Sequence, residues 1–229
     1  MNLTKTITEE YESVSAAQKS ELNISRNNKT QENFIDVWNK TVQKIFKNNE
    51  YYDALSIYRT AESRISGTNK NAEMYKREDI SAFCFELADL QKKYPLCKVA
   101  NPSFTSLAGM FLSALINYHV RSSQEKKEKL NEEYPLPVAH LEPLHYIGFE
   151  NIAHLKVIGN VGYNLGHRLR WGRIDVLGNA LDNIGFYAGR THPSLQAEIH
   201  IQGSYGSING ECKAKIFCND NQIFPEEET

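Results

Sequence analysis

His140, His145, Tyr146 and His154 fall in one short stretch and are the chain's first candidates for chemistry. The histidine spacings of five and nine match no metal pattern such as HExxH. These residues therefore read as polar members of a seam between two regions rather than as metal ligands. They would also serve a small-ligand or enzyme site at that seam. Arg168, Arg170, Trp171 and Arg173 form the one concentrated basic patch. Period-two alternation puts Arg168 and Arg170 on one face and Trp171 opposite. Arginines beside an aromatic can grip phosphate or nucleic acid. They equally bind acidic side chains of a protein partner, where Arg and Trp are common anchors. A formal net charge of -2 favours the protein contact and gives no overall pull toward nucleic acid. His119, at the end of an apolar run, suits a helix C-terminus without catalysis. Cys212 and Cys218 lack a motif-matched His and Asn and read as small core residues. The sequence holds no GxSxG, P-loop or paired-carboxylate motif. Gly162 and Gly166 are spaced like part of a phosphate loop but lack its Gly-Lys-Ser/Thr ending. No catalytic residue, metal or cofactor is expected.

The element that carries the arginines is a repeat. Leu155-Lys-Val157-Ile-Gly159-Asn160 returns as Ile174-Asp-Val176-Leu-Gly178-Asn179 and as Ile199-His-Ile201-Gln-Gly203-Ser204. A worn fourth copy reads Ile216-Phe-Cys218-Asn-Asp220-Asn221. The copies start 19, 25 and 17 residues apart, and Thr191 to Gln196 has the composition of an inserted loop. Leu165-Gly166 and Ile184-Gly185 repeat as a second element. Each copy is a short strand and a sharp corner, where Gly and Asn tolerate positive φ. Stacking predicts an inward ladder of Leu155, Ile174, Ile199 and Ile216, and a second of Val157, Val176, Ile201 and Cys218. One rung cannot bury its own apolar face, so at least three must stack.

The segment from Val157 through Gly162, Leu165-Gly166, Gly172 to Ala180 and Ile184-Gly185 resembles a glycine-patterned right-handed β-helix. That domain occurs at the C-terminus of glutamate synthase large subunits and in one of the subunits of formylmethanofuran dehydrogenase. The resemblance covers residues 155–223 and implies a fold and a bracing, structural role. It carries over neither amidotransferase nor flavin chemistry. Leu181 stands where the first copy has Gly162, Ser204 replaces Asn, and the fourth copy lacks a corner glycine. A short helix of three good rungs and a degenerate fourth follows.

The remaining elements are helical in pattern. Residues 1–30 are a polar arm with Leu3, Ile7, Tyr11 and Val14 at helical spacing, followed by a linker from Asn23. Residues 31–137 hold helices marked by Phe34, Val37, Trp38, Val42 and Ile45, by Leu55, Tyr58 and Ile65, and by Ile80, Phe83, Leu87 and Leu90. Phe104 to Val120 is the most apolar run, but it is short for a membrane span and contains Ser106, Ser113 and Asn117. It is expected to be a central core helix. Pro135, Pro137 and Pro143 close the helical region. Residues 138–153 form the seam, 154–223 the β-helix and 224–229 an acidic tail. The 229 residues are 41% hydrophobic, enough for a real core. Cys84, Cys97, Cys212 and Cys218 form no zinc-type pair, and no apolar leader opens the chain. The expected class is α+β, cytoplasmic, with reduced thiols. The expected function is a non-catalytic protein interaction module or adaptor subunit of a hetero-complex. A ligand site at the seam, and phosphate or nucleic-acid binding through Arg168, Arg170 and Arg173, are the alternatives.

Overall fold

A computed structural model describes residues 28–47, 53–68, 75–93, 102–125, 133–191 and 196–225. Four helices lead the described chain: α1 (Asn28–Lys47), α2 (Ala54–Thr68), α3 (Arg77–Lys93) and α4 (Phe104–Glu125). Their ends follow from local polar chemistry. Asp53 accepts the Ser56 N–H at 2.7 Å, which satisfies a donor that the first turn of α2 leaves open. That bond also holds the Asp53 carboxyl below its usual range. Asp79 reaches back to the Lys76 N–H at 2.8 Å, so it caps α3 from inside the first turn. Ser103 caps α4 by accepting the Ser106 N–H. The anticipated linker from Asn23 overlaps α1, which has begun by Asn28. The rest of the polar arm, Cys97 and the tail after Pro225 lie outside the described residues.

α4 is apolar on every side because it is enclosed. Leu107, Ala108, Phe111, Leu112, Leu115 and Ile116 are all at most 2% exposed. Burying a side chain as large as Phe111 contributes about 2 kcal/mol. Among the described residues no helix is long and apolar enough to cross a membrane.

One six-stranded sheet follows, in order β1 (Glu133–Pro137), β2 (His154–Ile158), β3 (Gly172–Leu177), β4 (Ala197–Ile201), β5 (Lys215–Cys218) and β6 (Asn221–Phe224). β1 to β5 are parallel, and β6 folds back antiparallel on β5. Each strand is one side of a rung, so the chain coils into a β-solenoid of about four turns. The registers place Leu155, Ile174, Ile199 and Ile216 in one column, and Val157, Val176, Ile201 and Cys218 in the other. These are the two ladders the alternation predicts. Their members are at most 1% exposed, except the half-buried Cys218 on the worn last copy. Corner side chains stack too: Asn160 accepts the Asn179 N–H at 2.9 Å, and Asn179 accepts the Ser204 N–H at 2.8 Å.

β1 corrects the predicted boundaries. Residues 133–137 belong to the sheet rather than to the helical region, and Tyr134 and Leu136 start both ladders. Proline lacks an N–H, but an edge strand has one side that needs none. α3 covers that edge, and Ser81 donates to the Pro135 carbonyl at 2.6 Å. The stretch 138–153 is therefore the remainder of a first rung, not a separate seam. Its Leu144 bridges Val161, and its Gly148 occupies the corner that Gly166 and Gly185 take on later rungs. At Gly166 the backbone has φ +64°, and a Cβ would meet Ile199 at 2.7 Å.

α4 clasps this first rung. Gly109 lies so close to the His145 carbonyl that a Cβ would overlap it. Ser113 Oγ accepts the Gly148 and Phe149 N–H groups at 3.0 and 3.2 Å. Asn117 Nδ2 lies within 3.2 Å of the Phe149 and Glu150 carbonyls and 2.9 Å from the Tyr58 hydroxyl. Helices and solenoid thus share one continuous core.

Candidate functional site

The second residue after each corner glycine also adopts a left-handed conformation. Glu150, Arg168 and Tyr187 have φ of 51°, 58° and 56° on three consecutive rungs. Each costs on the order of 1 kcal/mol in a residue with a Cβ, and such residues gather at functional sites. Arg168 Nε donates to Glu150 Oε1 at 3.1 Å, and Arg170 Nη2 donates to Oε2 at 2.5 Å. The Glu150 side chain is only 8% exposed, so this carboxylate acts as a buried anchor for two guanidinium groups. Arg190, from the next rung, lies 4.6 Å over the Tyr187 ring and pairs with Glu211. Glu150, Arg168, Arg170, Tyr187, Arg190 and Thr191 line a cavity of about 260 Å³. Arg170 Nε is buried without a hydrogen-bond partner.

An aromatic column stands beside this corner. His167 packs between Phe149 and Phe186, with ring centroids 5.0 and 4.8 Å away. Burial, with the neighbouring Arg168 cation, pushes its pKa down to about 4 against an opposing pull from Glu150. The imidazole is therefore neutral near pH 7 and serves as packing.

Of the four residues anticipated as a basic patch, the fold brings Arg168 and Arg170 together and sends the others elsewhere. Trp171 is half-buried against the core. Arg173 opens β3 and grips Asp175 through Nε at 2.8 Å and Nη2 at 2.6 Å. Asp175 also accepts from His154 at 2.5 Å, with Glu133 3.9 Å from the same imidazole nitrogen. Burial pushes the Asp175 carboxyl up, but the bonds from Arg173 and His154 outweigh it and hold the group low. Glu133, His154 and Asp175 place three donor atoms within 4.8 Å of one another, enough to ligate a divalent ion. Arg173 and Lys156 already supply cations to these carboxylates.

The other seam candidates are engaged by different neighbours. His140 stacks on Phe85, and its Nε2 lies 3.0 Å from the Cys84 carbonyl. His145 accepts the Tyr163 N–H at 3.0 Å, and burial lowers its pKa. Tyr146 packs its ring on His167. His119 is mid-helix in α4 and bonds the Tyr134 hydroxyl at 2.7 Å.

Sequence reasoning missed Glu150, Tyr187, Arg190 and Thr191. For Glu150 and Tyr187 the offset of two from each repeating corner glycine was the available signal. It also missed a second surface. Tyr163, Leu181 and Tyr205 are 46%, 39% and 40% exposed; Tyr205 lies in the bridge column with Val161 and Ala180, and Tyr163 and Leu181 stand two and one residues past it on the two preceding rungs.

The molecule is thus a helical region joined through a shared core to a parallel β-solenoid. Comparisons with protein-family models, with curated proteins and with solved structures found no match for the chain.

Proposed function

We propose that this protein is a non-catalytic interaction module, an adaptor subunit of a larger protein assembly, acting in the cytoplasm. The observation that carries this reading is the set of exposed Tyr163, Leu181 and Tyr205, all within two residues of one bridge column on three consecutive rungs. Large side chains bared on a folded domain mark contact surfaces, and tyrosine suits them because it offers an apolar ring and a polar tip. A stacked solenoid holds such a set rigid, so little ordering entropy is lost on binding. The resemblance of the glycine pattern to bracing domains of multidomain enzymes points the same way. Buried free thiols at Cys84 and Cys212 fit a reducing compartment.

The test is native mass spectrometry of the protein purified from its source cells at natural abundance. It is run beside a variant carrying Tyr163→Ser, Leu181→Ser and Tyr205→Ser. A stoichiometric heteromeric complex is expected for the wild type, and its loss in the variant with an unchanged circular dichroism spectrum. A variant that keeps its partner at wild-type stoichiometry would refute the assignment.

A further inference from the structure

The cavity at the corner of Glu150, Arg168 and Tyr187 is a built site, and its charge count limits what can enter. Three guanidinium groups, Arg168, Arg170 and Arg190, face two carboxylates, Glu150 and Glu211. The balance is one uncompensated positive charge. We propose that this pocket binds a single carboxylate group, presented by an acidic side chain of a protein partner. The choice of source rests on the interaction-module reading above.

Glu150 makes the pocket specific. Its two oxygens take one N–H from each of Arg168 and Arg170, which fixes both forks and leaves further N–H donors on each. The Arg168, Arg170 and Arg190 side chains are 39%, 36% and 41% exposed, so their remaining N–H groups are open to an acceptor in the cavity they line. Arginine forks match a planar carboxylate in two-point contact. Arg190 is held over the Tyr187 ring and against Glu211, so the third cation is also placed in advance. A phosphate dianion would bring a second negative charge beside Glu150 and reverse the sign of the site. A cavity of about 260 Å³ lies below the range of drug-sized ligand sites, and fits a carboxylate on a short apolar stem.

The experiment is an NMR titration of the ¹⁵N-labelled full chain at low salt, reading the arginine Nε–H signals. The probes are N-acetylglutamate α-methylamide, its glutamine counterpart and inorganic phosphate. The glutamate probe is expected to move the signals of Arg168, Arg170 and Arg190, with little response to the neutral glutamine probe. Arg190→Ala should weaken binding about tenfold, the loss of one charge-assisted contact. Glu211→Gln, an exposed change that removes a competing carboxylate while Tyr187 and the main-chain carbonyl of residue 211 still hold Arg190, should tighten it roughly threefold. An equal response to glutamine, tighter binding of phosphate, or shifts confined to other arginines would overturn the proposal. Partner capture by Arg190→Ala then locates the carboxylate. A fall of about tenfold or more places it on the partner. Undiminished capture, with the glutamate probe lost, overturns that source. The Tyr163, Leu181 and Tyr205 variant tests the adaptor reading through another face, so the two can fail separately.

Discussion

Gly109→Ala sets two large effects against each other and so tests the clasp between α4 and the first rung. Helix propensity alone says alanine should stabilise an interior helical position by about 1 kcal/mol. The packing says the opposite. A Cβ at Gly109 would overlap the His145 carbonyl oxygen, and would lie 3.0 Å from its carbon and 3.3 Å from the Ile147 nitrogen. All three atoms are backbone, so no flexible side chain can yield. Relief requires α4 to back away from the turn. That movement stretches the bonds between Ser113 and the Gly148 and Phe149 N–H groups, and those from Asn117 to the Phe149 and Glu150 carbonyls. Overpacking costs about 1 to 3 kcal/mol, and a weakened buried hydrogen bond about 1 kcal/mol. The net expectation is a loss of roughly 3 kcal/mol, a large share of a domain's typical stability. Gly67→Ala is the control, because a Cβ there meets nothing within 4 Å. It should gain about 0.5 to 1 kcal/mol. Guanidinium unfolding, followed by circular dichroism and by fluorescence of Trp38 and Trp171, measures both variants. A Gly109→Ala protein as stable as the Gly67→Ala control would refute the clasp.

His167 is neutral in the fold with its pKa lowered to about 4, whereas the unfolded chain protonates near 6.5. Its contribution is whole above pH 6.5 and is lost as pH falls toward 4, by about 2 kcal/mol after allowance for partial exposure. His167→Phe should flatten that part of a plot of unfolding midpoint against pH, and parallel curves would show that another group is responsible. Asn183 donates to Asn164, accepts from Asn209 at 2.5 Å and sits at φ +64°. Asn183→Ala should cost about 2 to 3 kcal/mol by denaturant unfolding, and Asn183→Gly about 1 kcal/mol less. Equal losses would mean that the left-handed backbone contributes nothing to the difference.

What the sequence made legible was what repeats in apolar type. Leu155, Ile174, Ile199 and Ile216 alternate with exposed or half-exposed neighbours, so period and face were both readable. β1 escaped because Pro135 and Pro137 read as stops. That inference fails at an edge strand, where one side of the backbone makes no ladder bond. The arginine corner escaped for a different reason. Left-handed positions advertise themselves when glycine or asparagine fills them, as at Gly166 and Asn183, but Glu150, Arg168 and Tyr187 carry no such mark. Arg173 looked like a neighbour of Arg170 because it is three residues away. Gly172, at φ +95°, turns the chain between them, and Arg173 enters β3 beside Asp175.

Glu150 ties the two halves of the molecule to one corner. Its carbonyl accepts from Asn117 of α4, while its carboxylate holds Arg168 and Arg170. The guanidinium pair is thus oriented by a residue whose backbone is fixed from the helical side. Tyr163 is tied to α4 by another route, because its N–H bonds His145, whose own N–H bonds the Thr105 carbonyl. The corner at Leu181 and Tyr205 is set by the stacked Asn179 and Ser204 and by the parallel bridge of Ala180 to Tyr205. Loosening α4 would disturb the charged pocket through Glu150 and Tyr163 through His145, and leave Leu181 and Tyr205 in place. A partner that reads both surfaces would sense whether the helical region is seated on the solenoid, because each surface has one residue held from α4.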